Sequence, residues 1–204
     1  MYSDWRCDHD GPVLPLHVAE HIGPEILQAA LGHIRARREG APEVPVWCPW
    51  PTPAGWTVTG VGWVGDERSG ARASVLACTG PAPLQGGPAD MVFVAEELGV
   101  GLGTRFAGIP GPDPGPFLDG EGASCPAHAR VHAAGWPTPL WSVKAAEDRC
   151  AYVGEARGLW LYAVAWPATA GYLLAEDLFL CDLAEVASPE LVFGAPSPYL
   201  HGRA

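Results

Sequence analysis

Trp56-Thr-Val-Thr-Gly-Val-Gly-Trp-Val64, the turn Asp66-Glu-Arg-Ser-Gly70 and Ala71-Arg-Ala-Ser-Val-Leu-Ala-Cys78 follow one another along the chain and indicate its fold more clearly than any other segment. Both flanking runs are short and apolar, and the polar turn between them ends in glycine. Runs of this kind on either side of a turn are typical of antiparallel strands. The segment therefore predicts two neighbouring strands of an antiparallel sheet.

Further short apolar runs continue almost to the end of the chain. The 26 glycines and 22 prolines are interleaved with Trp, Val and Leu, so they separate many short elements rather than form a low-complexity tract. This spacing predicts an antiparallel sheet of about six to eight strands. The further predicted strands are Ala129–Ala133, Leu140–Val143, Ala151–Val153, Leu159–Trp166 and, nearest to the first pair, Met91–Ala95.

One amphipathic helix is predicted near the N-terminus. Gly23-Pro24 places proline in the first turn, the apolar residues that follow keep a 3.6-residue period, and Gly40 supplies a stop. Near the C-terminus, the apolar residues of 168–186 fit neither a helical nor a strand period, and we expect helical turns that cover a sheet face. The predicted fold class is therefore α+β and predominantly antiparallel.

Charge and composition exclude several classes of protein. The net charge is −11, and the only basic cluster, Arg35 to Arg38, closes the predicted helix, so we expect neither nucleic acid nor an anionic membrane as a partner. No apolar run reaches the roughly 18 residues of a membrane span, and no signal peptide is evident, which favours the cytoplasm. The six cysteines stand singly, as expected of reduced thiols.

Residues 42–53 contain five prolines together with Trp47 and Trp50, and this composition favours extended backbone. Two interpretations are open. The tryptophans can pack on the sheet, or the segment can face a partner; packing is favoured because both side chains are large and aromatic.

Cys7-x-His9 provides two of the ligand types that zinc prefers, beside Gly11. A structural zinc needs four ligands, and Cys125-x-x-His128 could complete the site from a distant loop. The alternative is that Cys125 and His128 are ordinary loop residues. The same pair could also form a thiol-imidazole dyad, although proximity in a loop is weak support for catalysis.

Two other motifs fail as catalytic signatures. The glycine-rich run after Met91 resembles a phosphate-binding loop, but its last glycine position is not glycine and the residues after Gly103 do not resemble a helix. If the predicted strand continues to Glu97, Glu96 and Glu97 point to its opposite faces, so they are not a paired acid and base. No catalytic residue is predicted.

The segment from Val153 to Pro167 is where we expect a ligand pocket. Glu155 and Arg157 flank a turn between two predicted strands and could form an ion pair, while Trp160 and Tyr162 are aromatic residues on the following strand.

Eight strings along the chain resemble an uncharacterised family from high-GC Gram-positive bacteria that carries a domain of unknown function. They are Trp-x-Cys-Asp, Val-Pro-Val-Trp-x-Pro-Trp-Pro, Gly-Trp-x-Val-Thr-Gly, Ala-Cys-Thr-Gly-Pro-Ala-Pro-Leu, Val-Ala-Glu-Glu-x-Gly-Val-Gly-Leu-Gly, Gly-Pro-Asp-Pro-Gly, Pro-Thr-Pro-Leu-Trp and Gly-Glu-Ala-Arg-Gly-Leu-Trp-Leu. Some similar sequences are labelled phosphotransacetylase, but the motifs of this chain do not support that activity.

The resemblance implies a different account of Cys7 and His9. Longer relatives begin with a Cys-x-x-Cys pair and a Cys-x-x-His-Gly string that together look like a zinc ribbon. This chain has no first pair, and Asp10 stands where the relatives have His before Gly11. We therefore expect residues 1–18 to be a truncated, zinc-ribbon-like remnant and residues 19–204 to form a single domain. Either the ribbon has decayed or the coding start lies upstream; zinc is expected in longer relatives and no cofactor in this chain.

The leading functional hypothesis is a non-catalytic cytoplasmic binding or regulatory protein, with a protein or a small molecule as its partner. The alternative is a small enzyme that acts on an acyl or phosphorylated metabolite, with Glu155, Arg157 or the Cys125 and His128 pair as its polar groups. Titratable residues that converge in a deep pocket would favour the enzyme.

Overall fold

A computed structural model describes residues 6–7, 11–12, 15–36, 43–66, 70–84, 87–115, 126–175, 177–186 and 190–200. The strands are β1 (Arg6–Cys7), β2 (Gly11–Pro12), β3 (Leu16–Val18), β4 (Trp47–Pro49), β5 (Thr57–Asp66), β6 (Gly70–Pro81), β7 (Pro88–Glu96), β8 (Ala129–Ala133), β9 (Trp136–Val143), β10 (Cys150–Ala156), β11 (Leu159–Trp166) and β12 (Leu178–Asp182). The helices are α1 (Pro24–Arg35), α2 (Leu102–Ala107) and a 3-10 helix (Ala168–Ala175).

The strands form a mostly antiparallel sheet, as the sequence predicts. β1 and β2 pair with each other, and the other strands form a ten-stranded sheet in the order β3-β5-β6-β7-β11-β10-β9-β8-β12-β4. β5 and β6 are the predicted neighbours, with Trp63 opposite Ser74. Every named pair of neighbours is antiparallel except β12 and β8, which run parallel.

Both faces of the sheet are buried. Along β7, Met91 and Phe93 belong to one apolar cluster, while Val92 and Val94 belong to the other. β4, α1 and the 3-10 helix contribute to the first cluster; α2 and Leu200 contribute to the second. This two-sided burial explains why β7 is a continuous apolar run rather than an alternating one.

The helix α1 begins at Pro24, as the Gly23-Pro24 pair predicts, and its buried residues are Leu27, Ala30, Leu31 and Ile34. It ends at Arg35 with Ala36 as its C-cap, short of the predicted stop at Gly40, which lies outside the described residues. The proline-rich segment packs inward at Trp47, whose side chain is buried, whereas Trp50 is only partly buried.

Two expectations about helices were wrong. The residues after Gly103 do form a helix, α2, because the preceding glycines allow a sharp turn; Gly101 has φ of 81°. Residues 168–186 are not helical throughout, since β12 follows the 3-10 helix. Leu178, Leu180 and Asp182 are buried while Phe179 is exposed, so a two-residue period holds over this short strand.

No helix in the described ranges is long and apolar enough to cross a membrane.

Two glycines differ in the space around them, which gives a first prediction. A Cβ on Gly154 in β10 would overlap the carbonyl oxygen of Pro139 and lie 2.8 Å from Leu140 Cδ2, and backbone cannot move aside without disturbing β9. A Cβ on Gly32 in α1 would meet nothing within 4 Å. We expect Gly154→Ala to lower the free energy of unfolding by about 1–3 kcal/mol and Gly32→Ala to raise it by about 0.5–1 kcal/mol.

Urea denaturation measures both changes. A Gly154→Ala protein as stable as the wild type would contradict this account of how β9 packs on β10.

Candidate functional site

The predicted pocket residues are divided between two parts of the molecule. Arg157 lies in the turn between β10 and β11 with φ of 58°, and it reaches towards β12. Glu155 accepts a hydrogen bond from the Gly158 N–H within the same turn, at 3.1 Å. Trp160 and Tyr162 instead pack in the apolar cluster that includes α2. Arg157 therefore faces a different site from the two aromatic residues.

Arg157 lines a cavity of about 320 Å³ beside β8 and β12. The remaining side chains around it are aromatic, acidic or small. They are Trp50, His132, Ala134, Phe179, Leu180, Cys181, Asp182, Glu185 and Val186, together with Gly135. We refer to this cavity as the Arg157 pocket.

Two carboxylates and one aromatic ring hold the guanidinium in place. Nη1 donates to Asp182 Oδ2 at 3.2 Å, and Nη2 donates to Glu185 Oε2 at 2.8 Å. The guanidinium carbon lies 5.5 Å from the centre of the Trp47 ring, within cation-π range. Glu185 and, to a smaller extent, Asp182 raise the pKa of Arg157, so the guanidinium is always charged.

Asp182 connects three segments that are distant in sequence. Its side chain has no exposed surface. Oδ1 accepts the N–H groups of Val46 at 2.9 Å and Ala184 at 3.0 Å, while Oδ2 accepts from Arg157. Burial raises the pKa of Asp182, and the hydrogen bonds from Val46 and Ala184, followed by the charge of Arg157, lower it. Asp182 thus aligns the turn that carries Arg157 with β4 and β12.

Glu185 is the more exposed of the two partners. Its side chain is 58% exposed, and the hydrogen bond from Arg157 lowers its pKa. Exposed ion pairs contribute little to stability because water screens them. A ligand can therefore exchange with Glu185 at the outer edge of Arg157 without disturbing the buried contact with Asp182.

Aromatic rings form another part of the pocket lining. The rings of His132 and Phe179 stack with centres 4.5 Å apart, and 48% of Phe179 is exposed. Cys181 lies beside them, and burial raises the pKa of its thiol to about 12. The thiol therefore stays protonated at neutral pH and is neither a strong nucleophile nor a ready metal ligand.

His128 lies at the start of β8, away from the Arg157 pocket. Its Nδ1 accepts the Ser142 N–H at 3.0 Å and is 3.1 Å from Ser142 Oγ. These contacts tie the beginning of β8 to β9.

The proposed zinc ligands cannot be placed together. His9 and Cys125 lie outside the described residues, as does the side chain of Cys7. Among the residues that are described, no group of three or more His, Cys, Asp and Glu side chains could hold a metal ion. The described cysteines, Cys48, Cys78, Cys150 and Cys181, are free thiols.

The glycine-rich loop surrounds a buried acid. Glu96 is completely buried, and its Oε2 accepts the N–H groups of Leu102 at 2.6 Å and Gly103 at 3.1 Å. Its Oε1 has no hydrogen-bond partner, and neither has the hydroxyl of the nearby Tyr162. The backbone groups that would hold a phosphate in a nucleotide-binding loop are therefore occupied by a side chain of the protein itself.

Asp113 completes this cluster. Its Oδ1 accepts the Gly99 N–H at 3.1 Å and the Trp160 Nε1–H at 3.2 Å. The pKa of Glu96 is raised to about 8, mainly by burial. The N–H groups of Gly103 and Leu102 act to lower it, and the charge of Asp113 acts to raise it. Burial also raises the pKa of Tyr162, with smaller contributions from Glu96 and Asp113.

The neighbouring Glu97 has a different environment. It lies just after the end of β7, forms an ion pair with Arg72 at 2.7 Å and is partly exposed, whereas Glu96 is buried. Because the strand stops at Glu96, strand alternation does not extend to Glu97.

Most of the polar residues of the Arg157 pocket could not be predicted from the sequence. Asp182 and Glu185 lie in the segment whose periodicity is ambiguous, and His132 and Phe179 meet only because β12 pairs with β8. One available signal was the alternation of Leu178, Leu180 and Asp182, which indicates a short strand.

Comparison with known families returns one match, over residues 1–200, to a family described as a family of unknown function. No curated protein and no solved structure matches the chain.

Proposed function

We propose that this chain, which belongs to the family of unknown function DUF6758, is a non-catalytic cytoplasmic binding protein whose Arg157 pocket holds a small, uncharged, hydroxyl-rich molecule. The observation that carries the proposal is the arrangement of Arg157, clamped between a buried and an exposed carboxylate at the wall of a cavity of about 320 Å³. Such fixed polar groups beside aromatic rings are typical of small-molecule sites.

The charges of the pocket favour an uncharged ligand. Arg157 faces two carboxylates, Asp182 and Glu185, so the local charge is negative when all are ionised. An anion would approach against this charge. A hydroxyl group both donates and accepts, so adjacent hydroxyls can bond to Glu185 and to Arg157 at the same time.

The aromatic wall favours a ring-shaped ligand. His132 and Phe179 present a stacked pair at one side, and Trp50 lies at another. The apolar C–H face of a hydroxylated ring can pack on such surfaces while its hydroxyls bond to the charged groups.

Three of the groups around the pocket are better suited to holding a ligand than to transferring protons or acyl groups. Arg157 does not lose its proton, Asp182 is enclosed, and Cys181 is a thiol with a raised pKa. The cytoplasm is the proposed compartment because the described cysteines are free thiols, which a reducing environment preserves.

A second candidate is a small enzyme acting on an acyl or phosphorylated metabolite. The observation that favours it is the exposed contact between Arg157 and Glu185, because a phosphate or carboxylate could replace Glu185 at Nη2.

Substitution of Glu185 separates the two candidates, since they predict opposite effects. Glu185→Gln removes a charged acceptor and should weaken binding of a hydroxylated ring about three- to tenfold. The same change removes a competing negative charge and should strengthen binding of an anion. Glu147→Gln, at an exposed position outside the pocket, is the matched control.

Titration calorimetry with myo-inositol and glucose, and separately with acetyl phosphate and acetate, measures these effects. Saturable binding of a hydroxylated ring that Glu185→Gln weakens and Glu147→Gln leaves unchanged would support the binding protein. If only acetyl phosphate binds, and binds more tightly to Glu185→Gln, the result would favour the enzyme over the binding protein.

A further inference from the structure

A second cavity, of about 420 Å³, lies between the 3-10 helix, β10 and the start of β8. Its lining residues are tyrosines, small apolar residues and a few neutral polar side chains. They are His128, Ala129, Tyr152, Ala168, Thr169, Gly171, Tyr172, Leu174 and Ala175. We refer to this cavity as the tyrosine cleft; it shares no lining residue with the Arg157 pocket.

Two phenol rings give the cleft its chemistry. Tyr172 is 57% exposed and Tyr152 is partly buried. Burial raises the pKa of Tyr152, and Cys150 and Tyr172 raise it further, so its hydroxyl keeps its proton at neutral pH. The cleft therefore offers phenolic hydrogen-bond donors beside flat aromatic surfaces.

The described lining of the cleft contains no Asp, Glu, Lys or Arg side chain. Apart from His128, whose Nδ1 already accepts the Ser142 N–H, nothing in the described lining can compensate the cost of removing a charged ligand from water, and that cost is large. An uncharged molecule does not carry this penalty. The apolar side chains of Ala129, Ala168 and Leu174 also favour an uncharged ligand.

Gly171 provides the space in which Tyr152 lies. A Cβ at this position would overlap Cys150 Sγ and lie 3.3 Å from Tyr152 Cε2. Because Cys150 and Tyr152 belong to a strand of the sheet, the glycine allows the 3-10 helix to lie close while the tyrosine ring stays in the cleft.

We propose that the tyrosine cleft is a second binding site, and that it takes an uncharged aromatic molecule with a hydrogen-bond acceptor, such as an aromatic amide. The ring packs between Tyr152 and Tyr172, and the carbonyl of the amide accepts from the Tyr152 hydroxyl.

Three matched probes test the proposal on the full chain: benzamide, benzoate and benzylamine, which share a ring and differ in charge. Amide chemical shifts of the isotopically labelled protein report where each probe binds. Benzamide is expected to shift the signals of Ala129, Ala168 and Gly171 in a saturable way. Benzoate and benzylamine should bind with at least about fivefold lower affinity, because the cleft does not compensate their charges.

The variant Tyr152→Phe keeps the ring and removes the hydroxyl, so it should lower the affinity for benzamide about three- to tenfold. Tyr199→Phe makes the same chemical change where the ring stacks on Trp166, outside the cleft, and should have no effect. Equal binding of benzoate, equal weakening by both variants, or no shift at the cleft signals would each overturn the proposal.

Discussion

Between about pH 4.5 and about pH 8, Glu96 is expected to lower the free energy of unfolding by on the order of 3–5 kcal/mol as the pH rises. The side chain is completely buried, and burial raises its pKa to about 8 in the folded protein, whereas the unfolded chain has the ordinary value of 4.5. The folded state therefore holds a proton that the unfolded state has already released over this range.

The direction follows from proton linkage. Where the folded state binds more protons than the unfolded state, raising the pH favours unfolding. The effect of Glu96 is absent below the unfolded pKa, grows through the interval and becomes constant above the folded pKa. Besides burial, the charge of Asp113 disfavours the negative charge of Glu96, and Glu96 in turn raises the pKa of Tyr162.

Glu96→Gln isolates this contribution. The amide oxygen can still accept the N–H groups of Leu102 and Gly103, but the side chain cannot ionise. Urea denaturation across the pH range should show a much smaller decline in stability for Glu96→Gln than for the wild type. Glu97→Gln, a neighbour whose side chain is partly exposed, should decline like the wild type. Equal slopes for the wild type and Glu96→Gln would contradict the protonated state of Glu96.

Replacing Asp182 by alanine is expected to lower the free energy of unfolding by about 3–5 kcal/mol. The change leaves the N–H of Val46 and that of Ala184 without their acceptor, and Arg157 keeps only its exposed partner. Buried groups that lose a partner carry the full cost of desolvation, which is larger than the net value of the hydrogen bond.

Comparison with two milder changes gives the test its specificity. Asp182→Asn keeps an oxygen for Val46 and Ala184 but removes the charge that faces Arg157, so about half of the loss is expected. Glu185→Gln removes the exposed partner and should cost less than about 1 kcal/mol. Thermal and urea unfolding measure all three. If Asp182→Ala were no more destabilising than Glu185→Gln, Asp182 would not be the group that joins these segments.

The Glu185→Gln variant also links stability to function. Because it is expected to fold almost as well as the wild type, any change in ligand affinity reports on the pocket and not on unfolding.

The sequence alone predicts local structure well where that structure depends on residues that are close in the chain. The β5 and β6 pair follows from apolar runs on either side of a turn, and the start of α1 follows from Gly23-Pro24 and a 3.6-residue period. The strand around Met91 to Ala95 follows from a short apolar run before a glycine-rich loop. Each of these patterns is a property of residues a few positions apart.

The sites depend on contacts between residues that are far apart in the chain. Glu155 was considered as a possible ion-pair partner of Arg157, but Arg157 bonds to Asp182 and Glu185, which become its neighbours only when β12 takes its place between β8 and β4. The glycine-rich loop resembled an anion site by composition, and folding placed Glu96 on its N–H groups instead. The sequence by itself determined several central strands and their antiparallel class, because apolar runs and turns are local patterns. The tertiary structure decided the full ten-stranded order and which charges meet, because these depend on distances that no local pattern contains.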